Sequence, residues 1–135
     1  MLGISLKKCI ENVEQNKGLL LNEIPAGACV EVETEYSTYF IVPIDQEKGL
    51  IVLQGNGSHF RNATRCYLNG STWGGSTIRS EWIGVGMYLE VRNPAGGAHK
   101  IVTTSMVRKI TVRSDPEIVE VLKRTATARK SCDDS

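Results

Sequence analysis

Val30-Glu31-Val32-Glu33-Thr34-Glu35-Tyr36-Ser37-Thr38-Tyr39-Phe40-Ile41-Val42 is the stretch on which the fold turns. Val30, Val32 and Thr34 alternate with Glu31, Glu33 and Glu35, the period of two that sends one face of a strand into a core and leaves the other wet and acidic. Glu35-Tyr36-Ser37 is short enough to be a hairpin connection. The run Tyr39-Phe40-Ile41-Val42 is apolar on both faces, so the second strand, Thr38 to Ile44, is expected to lie centrally and be covered on both sides. Pro43 is expected to mark its end, because proline cannot donate to a sheet ladder.

Toward the C-terminus the pattern repeats. Asp45-Gln46-Glu47-Lys48-Gly49 reads as a polar turn into a third strand, Leu50 to Gln54, which Gly55-Asn56-Gly57 breaks. Thr64, Cys66 and Leu68 then alternate with Arg65 and Tyr67, which share a face. Asn69-Gly70 is a turn dipeptide, and Gly74-Gly75 permits a tight bend before Ser76 to Ser80. Met87, Leu89 and Val91 point inward against Tyr88, Glu90 and Arg92. Asn93-Pro94-Ala95-Gly96-Gly97 closes a hairpin onto Lys100 to Thr104, and Met106 to Arg113 is the last strand.

Helices are expected at both ends. Ser5 caps a short one in which Leu6, Cys9, Ile10 and Val13 recur at helical spacing, and Lys17-Gly18 ends it. Ser114 and Glu117 stand at capping-box spacing with Pro116 in the first turn, and Ile118, Val119, Leu122 and Ala126 form an apolar stripe. The chain is therefore expected to be mainly β: a small curved antiparallel sheet or barrel of about seven strands, flanked by an N-terminal and a C-terminal helix. Its 135 residues suit one domain, residues 1–128, followed by a polar tail at 129–135.

No stretch approaches the ~20 apolar residues of a membrane span. No apolar signal segment precedes Lys7-Lys8, so the expected address is the cytoplasm, with no membrane partner. Cys9, Cys29, Cys66 and Cys132 are widely separated and match no C-x-x-C spacing, which in a reducing compartment makes them free thiols.

Charge is unevenly spread. Residues 61–113 carry eight Lys/Arg and two acids, Glu81 and Glu90, in a chain whose net charge is +1. A basic, glycine-rich, aromatic-bearing segment is where an anionic partner would dock. Arg61, Arg65, Tyr67, Trp73, Arg79, Trp82 and Arg108 are the candidate ligand-binding residues, with Trp73 and Trp82 flanking the strand that holds Arg79 as stacking surfaces for a base, a nucleotide or a peptide side chain. Gly70 to Ser76 combines glycines with the hydroxyls of Ser71, Thr72 and Ser76, the makings of an anion nest, although a bend in a curled strand is the stronger reading. His59 and His99 lie in turn-like surroundings with no metal or nucleophile spacing around them. No catalytic residue, metal ligand or cofactor is assigned.

Gly70-Ser71, Gly74-Gly75-Ser76, Trp82 to Met87 and Thr104 to Val107 occur in an order that resembles small uncharacterised bacterial β-rich proteins. The resemblance implies a β-rich fold and no activity. The leading expectation is a non-enzymatic binding or assembly module, homo-oligomeric through open strand edges and helix faces, that takes an anionic ligand on segment 61–113. The alternatives are a single-stranded nucleic-acid-binding β-barrel and a small hydrolase or nucleotide-processing enzyme.

Overall fold

A computed structural model describes residues 5–56, 60–74, 77–94 and 100–133, with side chains described as far as Ala126. Along the chain lie α1 (Leu6–Asn16), β1 (Gly18–Leu20), a 3-10 turn (Leu21–Glu23), β2 (Ala28–Thr34), β3 (Thr38–Asp45) and β4 (Leu50–Gly55). They are followed by β5 (Thr64–Thr72), β6 (Ile78–Ser80), β7 (Trp82–Gly84), β8 (Tyr88–Asn93), β9 (Lys100–Ser114) and α2 (Pro116–Asp133). The fold is mainly β with a helix at each end, as the alternation implied.

The strands pair antiparallel in the order β4-β3-β2-β9-β8-β5-β6, and β4 also pairs with β5, so the sheet closes on itself into a ring with β6 outside it. Closure satisfies the ladder groups that would otherwise face water at a sheet edge. The register is strongly staggered. The row that starts at Thr64 passes through Leu53, Ile41 and Val30 to Val112, beyond the last β8 partner, Met106. Such a stagger tilts the strands, and a ring of so few strands is narrow enough for side chains to fill it. Val30, Val32, Tyr39, Ile41, Ile51, Leu53, Cys66, Leu68, Leu89 and Val91 are buried inside, with Cys9, Leu19, Leu21 and Ile83 in the same cluster.

A second cluster lies on the other face of β2, β3 and β4. Cys29, Val42 and Val52 pack there against Val119, Leu122 and Ala126 of α2, with Phe40, Ile44 and Ile118 at the margin. This explains why Tyr39-Phe40-Ile41-Val42 is apolar on both faces: one face fills the ring, and the other seats the helix.

Four details depart from the sequence reading. β3 continues through Pro43 to Asp45, with a register irregularity between those residues that accommodates the missing donor. Asn69-Gly70 does not turn but lies inside β5, at a register shift between Leu68 and Gly70 where Gly70 adopts φ +142°. Lys100 to Ser114 is one long strand rather than two, kinked at its irregularities with β2 and β8. The α2 cap is Asp115, whose carboxylate accepts from the Ile118 N–H at 3.2 Å, and the helix runs on past residue 128 to Asp133. In α1, Ser5 is the cap and accepts from the Lys8 N–H.

Candidate functional site

The basic segment does not converge on one place. Its candidate residues fall into three groups, set by which face of which strand carries them.

The first lies on the outer face of β5 and β8. Alternation puts Arg65 and Tyr67 outward, with Cys66 and Leu68 inside. β8 brings Arg92 directly opposite Tyr67, and its guanidinium carbon stands 4.5 Å from the Tyr67 ring centroid. Ring and cation are mutually attracted at that distance. Arg65 is one diagonal step away, about 7–8 Å by backbone geometry. At the same end Arg61 precedes β5, and Lys100, paired with Asn93, opens β9. The carboxylate nearest on these strands, Glu90, accepts from the Asn69 amide at 3.0 Å. The Arg65 Nε is buried and has no hydrogen-bond acceptor. A buried donor without a partner costs about 1–3 kcal/mol, a cost borne by the fold at this position.

The second group surrounds Trp82. Ser71, fully buried, donates to the Trp82 carbonyl and accepts from the Gly84 N–H at 3.3 Å. A Cβ on Gly18 would come within 2.5 Å of the Trp82 ring, and one on Gly84 would overlap its Nε1. Arg79 closes the cage, its guanidinium carbon 3.8 Å from the ring centroid. Trp82 is only 6% exposed, so its faces are occupied by the protein itself, whereas Trp73 is 65% exposed. The Thr72 hydroxyl is likewise engaged: it donates to the Thr77 carbonyl and accepts from the Gly74 N–H. Gly75 and Ser76 lie outside the described residues. This group is a structural lock, in keeping with the reading of the stretch as a bend in a curled strand. At ~3.3 Å per residue, Thr72 lies about 23 Å along β5 from Arg65.

The third group faces β2. Arg108 pairs with Glu35 and Arg113 with Glu31, each at 3.3 Å, and Lys109 stands opposite Glu33 in register. The acidic face of β2 neutralises this part of the excess positive charge. Thr104 and Ser105, from the last quoted signature, also serve the fold. Thr104 accepts from the Leu89 N–H at 3.1 Å, and Ser105 donates to the Thr34 hydroxyl at 2.7 Å, tying β9 to the β2–β3 hairpin.

The three cysteines among the described side chains are poorly placed for covalent chemistry. Burial pushes the Cys66 thiol up to about 12 and the Cys9 thiol to about 11; it does the same to Cys29, to about 11, with the Arg113 guanidinium pulling part of that back. A thiol so raised is not a thiolate nucleophile near neutral pH. Asp45 accepts from the Lys48 N–H in its turn, and Glu81 lies between β6 and β7 while Glu90 is in β8, held by the Asn69 amide. Among the described residues no group of three or more His, Cys, Asp or Glu is arranged to hold a metal. His59 and His99 lie outside the described residues, and among the described residues no helix is long and apolar enough to cross a membrane.

Arg92 is the residue that the sequence reading left out of the site. Its outward direction was readable from the alternation with Val91, but its place opposite Tyr67 depends on a pairing between strands that are distant in sequence. No protein-family model, curated protein or solved structure matches this chain.

Proposed function

We propose that the protein is a non-catalytic binding module that takes a phosphate-bearing or otherwise anionic ligand on the outer face of β5 and β8. The observation that carries this reading is the placement of Arg65, Tyr67 and Arg92 on one outer face, with the Arg92 guanidinium over the Tyr67 ring. Arg61 stands just before β5, and the one carboxylate on these two strands is engaged with Asn69. Charge-assisted bonds to arginine are the strong class of hydrogen bond, and a site with several cations and one carboxylate favours an anion electrostatically.

Nucleic acid as the ligand has less support. Trp82 is caged, one face of Tyr67 is engaged by Arg92, and Trp73 stands far along β5, so no row of stacking surfaces runs beside the arginines. Assembly through open strand edges also has less support, because ring closure pairs most of them.

The test is calorimetric titration with inorganic pyrophosphate and with a labelled single-stranded oligonucleotide at two salt concentrations. Pyrophosphate binding that weakens with salt and falls at least tenfold in Arg65→Glu and in Arg92→Glu is expected. Binding that ignores both salt and these changes, or no binding at all, overturns the reading.

A further inference from the structure

β6 lies outside the ring, paired with β5 on one side alone among the described residues. β8 runs along one edge of β5, while β4 and β6 share the other, β4 at Thr64 to Tyr67 and β6 at Gly70 to Thr72. β4 is covered in turn by β3. In line with β3, Gln46 donates to the carbonyls of Leu21 and Ile24, and the Leu21 N–H donates to the Glu81 carbonyl. Beyond Glu81, nothing among the described residues pairs with the outer side of β6.

The direction of the free groups follows from the ladder. The Glu81 N–H donates to the Asn69 carbonyl, and the Arg79 carbonyl faces β5 closely enough to exclude any side chain at Gly70. Backbone groups alternate sides along a strand. Arg79 therefore turns its N–H and C=O toward β5, and Ile78 and Ser80 turn theirs away from it. All three residues of β6 are exposed, Ile78 to 37%, and Trp73 in the same hairpin is 65% exposed.

We propose that β6 is a strand-addition site for an extended segment of a partner protein carrying an acidic residue opposite Arg79. Ile78 and Ser80 each exchange a pair of backbone hydrogen bonds with the incoming strand, leaving Arg79 at the non-hydrogen-bonded position between them, where cross-strand side chains approach most closely. A β-branched residue beside the acid lies against Ile78. Charge favours an acidic occupant. A second copy pairing its own β6 about a two-fold axis at Arg79 would set Arg79 against Arg79, and like charges directly opposite destabilise a strand pair. A carboxylate at that position removes the conflict. Backbone bonds supply affinity and the alternate side chains specificity, as in other strand additions.

The experiment selects random nine-residue linear peptides against the intact chain by display and measures the winners by fluorescence polarisation. Selected peptides are expected to carry Asp or Glu between β-branched residues and to slow amide exchange at Ile78 and Ser80. Ser80→Pro removes one outward donor while sparing the bonds to β5, and should weaken binding at least tenfold. Arg79→Glu should switch selection toward Lys and Arg peptides. If Ser80→Pro fails to fold by circular dichroism, the Arg79→Glu selection and the wild-type exchange data decide. Peptides that bind Ser80→Pro unchanged, leave both amides unprotected, or cannot be selected at all overturn the proposal. So does protection of those amides that rises with protein concentration in the absence of peptide, which assigns the edge to a second copy.

Discussion

Three glycines separate the two costs that a side chain meets in this fold. At Gly86, φ is +84° and nothing lies within 4 Å of a new Cβ, so Gly86→Ala bears backbone strain alone, about 1–2 kcal/mol. Gly18 has no such φ, but a Cβ there would stand 2.5 Å from both the Trp82 ring and the Ile83 carbonyl, an overpacking cost of about 1–3 kcal/mol. Gly70 carries both burdens: φ is +142°, and the new Cβ would overlap the Arg79 carbonyl oxygen, which is backbone and cannot swing aside. Gly70→Ala should therefore lose about 2–5 kcal/mol, a large share of the 5–15 kcal/mol that holds an ordinary domain together. For a chain of this size the loss corresponds to a fall in Tm of roughly 7–18 °C. Urea and thermal unfolding of the three variants, followed by circular dichroism, measure it. If Gly70→Ala costs no more than Gly86→Ala, then β5 and β6 do not meet as closely as described, and the lock around Ser71 and Trp82 is not formed.

Two further outcomes follow from burial and charge. The thiols of Cys9, Cys29 and Cys66 are raised in the folded chain to about 11, 11 and 12, against an ordinary 9. Below pH 9 both folded and unfolded thiols keep their protons; above it the unfolded thiols ionise first, so stability drains away as pH rises from 9 toward 12. The drop in urea midpoint between pH 8 and 10.5 should be smaller in Cys66→Ala than in the wild type, and an equal drop would show that the buried thiol is not its source. Arg108→Ala removes an ion pair whose arginine side chain is 62% exposed, so stability should shift by no more than about 0.5 kcal/mol in an unfolding titration. A loss above 2 kcal/mol would mean that the pair does more than sit on the surface.

What the chain discloses before folding is its local order. Val30, Val32 and Thr34 announce a half-buried strand because a period of two has one physical cause, and Tyr39 to Val42 announces cover on both faces. Closure is not visible in the same way, since it joins Ala28 to Ser114, and no local pattern encodes a partner so remote. Asn69-Gly70 misleads because the freedom in φ that serves a turn serves a bulge equally well. The two tryptophans are chemically alike, and what separates them is Gly18 packing on Trp82 from far up the chain. Arg65 and Tyr67 could be read as sharing a face, but the meeting with Arg92 could not.

The β2–β9 pairing has a consequence for synthesis. It is the clasp of the ring, and its registered partners run from Ala28 with Ser114 to Thr34 with Val107. A nascent chain that has made β2 must wait for nearly all of β9 before the clasp can form, several seconds at roughly 5–20 residues per second. During that wait the acidic edge of β2 has no permanent neighbour on that side, and Glu31, Glu33 and Glu35 are the residues that deter other chains from pairing with it. The carboxylates that later meet Arg108 and Arg113 thus serve first as gatekeepers of an unfinished sheet.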